Sequence, residues 1–345
     1  MENQDKHYLF YITQNYSFGI LRPLQSVITQ RGGKVAWFAD PNTVNIDWFT
    51  EDEVLLTSVA EVKSFNPRAV FVPGNVVPDF FPGIKVEVFH GFEWKKPGHF
   101  TIRGFFDLYC TPGAFPTKVF SELAEKHKHF VVKETGWPKV DPLFEMNKTF
   151  TKKAGKPVIL FAPTFSPKLT SAPALYEHIK VLSQNDDYQW IIRFHPKMPS
   201  KWVENYRSLE NSNLKLDTSD SALPSLCKAD VMISDTSSII TEFSLLRKPV
   251  ITLNNSKPEP CLINITSAQE LKPAIEAALA PSQELLQEID KQVANVHPYK
   301  DGLSSVRVLE AVEDFLSNPP KLKPKPLNLI RKIKIRKRVK YYRLR

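Results

Sequence analysis

With 345 residues, 42% hydrophobic and 24% charged, the chain is long enough for about two globular domains with their own cores, and nothing in its body reads as disordered. Its three cysteines, Cys110, Cys227 and Cys261, lie far apart and outside any CxxC pair, which argues against a disulfide framework or structural zinc and for a reducing, cytosolic compartment. The net charge of +9 sits in one place: 321–345 holds 12 of the 46 Lys and Arg and no acid, leaving 34 basic against 37 acidic residues elsewhere. That distribution argues against a nucleic-acid-binding body and for a separate basic tail.

The polar opening MENQDKHYLF is not a signal peptide, and no window holds the ~18 apolar residues of a spanning helix. HYLFYITQ reads as a buried first strand, followed by a helical pattern over ILRPLQSVITQRGG that stops at Gly32-Gly33, and KVAWFAD is a second strand. AVFVPG, KVEVFHG, DLYCTPG and HFVVKETGW continue the strands. A polar break, NKTFTKKAGKP, precedes a restart: PVILFAPTF strand, PALYEHIKVLSQ helix, YQWIIRFHP strand, SKWVENYRSLE helix, then LKLDT, ADVMISD and KPVITLN strands, with TEFSLLRK a short helix. The expected class is therefore α/β, with two doubly wound Rossmann-like domains facing a cleft: 1–148, 149–320, and a basic tail at 321–345. Ligands of such sheets bind outside the carboxyl ends of the strands, where the following motifs fall.

Four segments have side chains suited to chemistry. His90-Gly91 ends a strand, and a histidine there is either a general base or a loop-bonded side chain. Arg193 and His195 fall on one face if the strand persists to Pro196, a pair able to hold phosphate oxygens or simply to cap. Asp235, Thr236, Ser237 and Ser238 precede a helical run, with Glu242 four residues on; four polar side chains exceed what capping requires and suit an anion. Asp301-Gly302 forms a turn before an amphipathic helix carrying Ser304, Ser305 and Arg307, and a cation so early in a helix would be explained by an anionic ligand. No P-loop, GxGxxG, HExxH or GxSxG pattern is present.

In order, His90-Gly91, Thr135-Gly136-Trp137-Pro138-Lys139-Val140-Asp141, Ala162-Pro163-Thr164, Arg193-Phe194-His195-Pro196, Ser234-Asp235-Thr236-Ser237-Ser238 and Asp301-Gly302-Leu303-Ser304-Ser305 resemble the CDP-glycerol glycerophosphotransferase family. The resemblance spans roughly 88–316. It implies a GT-B scaffold in teichoic-acid-type, cell-surface polysaccharide biosynthesis, with His90 as base on the acceptor hydroxyl and His195 on the donor phosphates. Gly91, Lys139, Asp141, Arg193, Asp235–Ser238, Glu242 and Asp301–Arg307 would line the substrate sites. The reaction implied is attack on the β-phosphorus of CDP-glycerol with release of CMP, which needs positioning and charge stabilisation more than a covalent intermediate. The chain departs from the family at Phe92, Lys139 and Thr236, where Thr, Arg and Tyr are common. A minimal member, without an added leading domain, is expected.

No resident cofactor is expected beyond Mg²⁺ brought by the donor pyrophosphate. The expected partners are CDP-glycerol or a related nucleotide donor, a lipid-linked or oligosaccharide acceptor, and an anionic membrane surface through 321–345, at the inner face of the cell membrane. In NLIRKIKIRKRVKYYRLR, Leu329, Ile330, Ile333, Tyr341 and Leu344 share one side, and Ile335, Val339 and Tyr342 spoil the stripe. Two other functions fit the sequence: a GT-B glycosyltransferase or epimerase using a UDP- or CMP-sugar, and a non-catalytic protein binding a polymer and the membrane. Release of CMP from CDP-glycerol separates the first reading from both.

Overall fold

The computed structural model describes residues 6–92, 98–151, 155–219 and 221–342. The chain forms two compact units, one from Met1–Pro142 with Val296–Arg345, the other from Leu143–Asn295.

The first unit is built on a seven-stranded parallel sheet. Its strands are β1 (His7–Ile12), β2 (Lys34–Ala39), β3 (Val54–Leu55), β4 (Ala69–Val72), β5 (Ile84–Glu87), β6 (Leu108–Thr111) and β7 (Val131–Glu134), in the order β3-β2-β1-β4-β5-β6-β7. Between them lie α1 (Ser17–Gln30), α2 (Val59–Phe65) and α3 (Ala114–His127). Tyr8 to Ile12 are all buried, which is why β1 reads as an unbroken apolar run: both faces of a parallel sheet are covered. α1 ends where Gly32 takes φ 76°, a left-handed turn that costs glycine little.

α4 (Asp141–Thr149) carries the chain into the second unit. There follow β8 (Val158–Phe161), α5 (Ala172–Gln184), β9 (Gln189–Ile192), α6 (Ser200–Arg207), β10 (Leu214–Leu216), α7 (Leu223–Lys228), β11 (Val231–Ser234), α8 (Ile239–Ser244), β12 (Val250–Leu253), β13 (Leu262–Ile265), α9 (Leu271–Leu279) and α10 (Gln283–Val296). The parallel order is β10-β9-β8-β11-β12-β13. The strand order reverses between β1 and β4 in one sheet and between β8 and β11 in the other, so each unit has a topological switch point at which loops diverge. Neither β3, two residues long, nor β13, half-buried LINI, was among the expected strands.

The units divide differently from the expected 1–148 and 149–320. After α10 the chain returns to the first unit, so Asp301–Arg307 and α11 (Ser304–Ser317) belong with β1 to β7. α11 buries Val308, Leu309 and Val312, and its outer acids reach elements of the first unit: Glu310 pairs with Arg31 at the end of α1 at 3.0 Å and Asp314 with Lys133 of β7 at 3.1 Å. Helical periodicity shows that α11 has an apolar face but not which sheet that face covers.

The basic segment is also not separate. Lys325 pairs with Asp107 at 2.7 Å, and α12 (Leu329–Arg338) buries Ile335 in the core formed by Tyr11, Phe38, Phe81 and Tyr109. Residues 343–345, including Leu344 of the expected stripe, lie outside the described set, as do 93–97 after His90.

Candidate functional site

In the first unit the candidate residues stand at the carboxyl ends of the strands. Phe89, just past β5, has φ 57°, a left-handed conformation uncommon for a bulky side chain, and the chain turns there to expose His90. His90 Nδ1 lies 3.2 Å from the Pro73 carbonyl oxygen, in the loop after β4. A carbonyl can only accept, so Nδ1 carries the proton and the lone pair is left on Nε2. Tyr16, between β1 and α1, has its ring centroid 5.8 Å from that of His90. Gly91 has no left-handed φ, and among the described residues no atom lies within 4 Å of the position a Cβ would take.

Behind this edge lies a buried layer. Phe92 packs edge-on to Trp137 at 4.7 Å, and Trp137 N–H donates to His297 Nε2 at 3.0 Å. Gly136 has φ 81°, and a Cβ there would lie 2.4 Å from Ser304 Oγ, so Thr135-Gly136-Trp137 admits no larger residue at its centre. Lys139 is half-buried with Nζ 5.2 Å from the Trp137 ring centroid. Asp141 is buried and accepts from Ser304 N–H at 2.9 Å and Ser305 N–H at 2.7 Å. Burial raises its pKa, opposed by those donors from Ser305 and Ser304. The helix start read as an anion site is thus satisfied by this chain's own carboxylate. Arg307 pairs with Asp301 and lies 3.9 Å over the Tyr299 ring, so its position in the first turn of α11 needs no bound anion to explain it. Asp301 and Gly302, φ 73°, do form the expected turn.

His297 was not singled out by sequence; its signal was only the HPY before that turn. Burial lowers its pKa from 6.5 to about 4, so the folded state resists protonation while the unfolded chain accepts it. The stability that follows is complete above pH 6.5 and is lost as pH falls toward 4. Between pH 7 and pH 5 the wild type should lose about 2 kcal/mol more than His297→Gln, which keeps an acceptor for Trp137 N–H but does not titrate. Urea denaturation at the two pH values measures this, and parallel losses would refute it.

In the second unit, Asp235 follows β11 and is only 1% exposed. Its carboxylate accepts from Thr164 N–H (2.9 Å), Ser171 N–H (2.8 Å), Ser171 Oγ–H (2.9 Å) and Thr236 N–H (2.7 Å). It therefore ties the loop after β8 to the loop after β11, across the switch point, and presents Thr236, Ser237 and Ser238 outward. Thr236 and Ser238 are exposed, Ser237 is half-exposed, and Glu242 is buried on the inner side of α8.

β9 ends at Ile192, so the alternation expected for Arg193 and His195 does not persist. Arg193 turns to Asp217 at 2.7 Å and to Ser219 O at 2.9 Å. Burial would raise the Asp217 pKa, but hydrogen bonds from Ser219, Ser225 and Arg193 outweigh it and hold it at about 2. His195 is exposed, stacked obliquely on Phe165 at 4.4 Å. Lys197 N–H donates to its Nδ1 at 3.1 Å, so the neutral ring carries its proton on Nε2 and offers a donor. Burial, and then the Lys197 charge, lower its pKa and favour that neutral form. The two histidines are therefore opposite in character: His90 is set up to accept a proton and His195 to donate a hydrogen bond. Among the described residues, no group of three or more His, Cys, Asp or Glu gathers as a metal-ligand set.

Residues 104–314 match the model of a family described as CDP-glycerol:poly(glycerophosphate) glycerophosphotransferase. A teichoic acid glycerol-phosphate primase of Bacillus subtilis (strain 168) is 31% identical over 126 residues, 34% of this chain and 31% of that protein. The match thus spans about a third of that relative's length. Among solved structures, the wall teichoic acid polymerase TagF has a TM-score of 0.60 at 15% identity, with 90% of each chain covered. A Listeria monocytogenes protein assigned as a UDP-N-acetylglucosamine 2-epimerase has a TM-score of 0.67 at 13% identity, covering 94% of this chain and 100% of its own. At such identities these two structures establish the shared GT-B-type, two-Rossmann fold and nothing finer.

Proposed function

The chain belongs to the CDP-glycerol:poly(glycerophosphate) glycerophosphotransferase family, and on that premise we propose that it transfers glycerol phosphate, or a related alditol phosphate, from CDP-glycerol to a hydroxyl of a cell-surface glycan or lipid-linked acceptor. The acceptor oxygen bonds to the β-phosphorus, the bridge to the α-phosphate breaks, and CMP leaves with the bridging oxygen. His90 takes the acceptor proton on Nε2, and His195 donates from Nε2 to a donor phosphate oxygen. Thr236, Ser237 and Ser238 supply hydroxyl donors to the nucleotide diphosphate, with Asp235 holding the loops behind them, while Asp141 holds the start of α11 in the first unit. Any Mg²⁺ would arrive with the donor, whose pyrophosphate oxygens are hard ligands for it. We also propose that the protein works peripherally at the inner face of a membrane; among the described residues no helix is long and apolar enough to cross one.

The observation that carries this reading is the hydrogen bond from His90 Nδ1 to the Pro73 carbonyl, which fixes the proton on Nδ1 and puts the basic lone pair on Nε2, within a family of this chemistry. Thermal shift against CDP-glycerol, CDP and UDP-N-acetylglucosamine tests the donor. A ligand at about 100 times its Kd adds about 2.7 kcal/mol of stability. CDP-glycerol should stabilise the protein and yield CMP with an acceptor; stabilisation by the UDP-sugar alone would favour the sugar-nucleotide reading instead.

A further inference from the structure

The segment that spoils the tail's amphipathic pattern in sequence has a place in the structure. Ile335 is 5% exposed in the first unit's core, and Val339 and Tyr341 pack against the same cluster, Tyr341 stacking on Phe80 at 4.5 Å. Lys332 and Arg336 reach Asp79, and Arg338 reaches Asp40 at 3.4 Å. These contacts use up one side of α12. At about 100° per residue, Leu329, Ile330, Ile333, Lys334 and Lys337 fall together on the other side. There Leu329 is 67%, Ile330 72% and Ile333 56% exposed, and Leu327 just before the helix is 87% exposed. Lys334 and Lys337 are exposed and make no ion pair among the described residues, and 321–342 contains no acid. Aliphatic side chains left in water beside unneutralised lysines are poorly explained as a solvated surface, yet they match a bilayer's interfacial region, apolar below and anionic at the headgroups.

We propose that α12 is a rigidly docked membrane-contact helix: Ile335, Val339 and Tyr341 fasten it to the His90-bearing unit, while Leu329, Ile330 and Ile333 enter the headgroup boundary of an anionic membrane and Lys334 and Lys337 pair with its phosphates. This deepens the peripheral-membrane reading above and is independent of the donor chemistry. It replaces a floating tether with a fixed orientation. α12 runs from Asn328, bonded to the Arg103 carbonyl ahead of β6, to Arg338, which reaches Asp40 just past β2, so both its ends are fixed to the His90-bearing unit and set that unit's orientation on the membrane.

The test is co-sedimentation of the full chain with vesicles of equal phosphatidylglycerol and phosphatidylcholine, against phosphatidylcholine alone. Wild type should bind the anionic vesicles selectively. The triple variant Leu329→Ser, Ile330→Ser, Ile333→Ser and the double variant Lys334→Glu, Lys337→Glu should each bind about tenfold or more weakly. Both should keep the wild-type melting temperature, because the replaced side chains are exposed, and both should release CMP normally with a water-soluble acceptor. Loss of CMP release in wild type would sink the donor reading while leaving this one standing. Equal vesicle binding by wild type and the triple variant, no preference for anionic lipid, or tighter binding to duplex DNA than to vesicles at the same salt would each overturn the proposal.

Discussion

Replacing His90 with Ala is expected to slow CMP release from CDP-glycerol by about 10²–10⁴-fold, the usual contribution of a positioned general base. His90→Asn should lose as much, because its amide can still donate to the Pro73 carbonyl but offers no basic nitrogen. Donor binding should survive in both variants, seen as an unchanged thermal shift with CDP-glycerol, since the role assigned to His90 concerns the acceptor hydroxyl. Folding should survive as well, because the side chain is exposed and Pro73, whose carbonyl it bonds, lies in a loop. The pattern sought is a loss in kcat with donor affinity and melting temperature intact. Activity within threefold of wild type in His90→Ala would remove this residue from the reaction.

A second large effect falls on stability. Asp235→Ala should destabilise the second unit by about 3–5 kcal/mol, because it strands three backbone N–H groups and a serine hydroxyl that now share one buried carboxylate. Asp235→Asn should recover only part of the loss. An amide keeps one acceptor oxygen, and its NH₂ would face the N–H donors that the second carboxylate oxygen now satisfies. Hydrogen exchange read peptide by peptide would localise the effect, with the earliest opening expected over 162–171 and 234–238. A loss under about 1 kcal/mol would mean that the loops after β8 and β11 hold their shape without this link. Such a variant would also bind donor poorly, but through collapse of the frame behind Thr236 to Ser238 rather than through a lost ligand contact.

These two carboxylates and two basic side chains mark how far the residue pattern could be read. Asp141, Asp235, Arg193 and Arg307 were all legible as charged groups at strand ends or helix starts, and all were read as substrate contacts. In the structure Asp141 caps α11, Asp235 joins two loops, Arg193 engages Asp217, and Arg307 engages Asp301. Asp141 reaches Ser305 across 164 positions and Asp235 reaches Ser171 across 64. A motif shows that a charge is present, but an internal partner so distant in the chain cannot be weighed against a ligand from local spacing. The Asp301-Gly302 turn was legible because its chemistry is local: a short carboxylate accepting a nearby N–H and a glycine tolerating positive φ.

The same division holds for the whole molecule. The residue order by itself determined the strand–helix alternation, and with it a parallel α/β class, because parallel strands covered on both faces must be apolar runs and their crossovers must be amphipathic helices. It also determined the family, through an ordered set of short motifs. Only the tertiary structure decided that α11 returns to the first sheet, that α12 buries Ile335 rather than trailing in solvent, and which imidazole nitrogen of His90 and His195 bears the proton. Local propensity is set by neighbours along the chain, whereas the partner of an apolar face or a ring nitrogen is set by whatever group folding brings beside it.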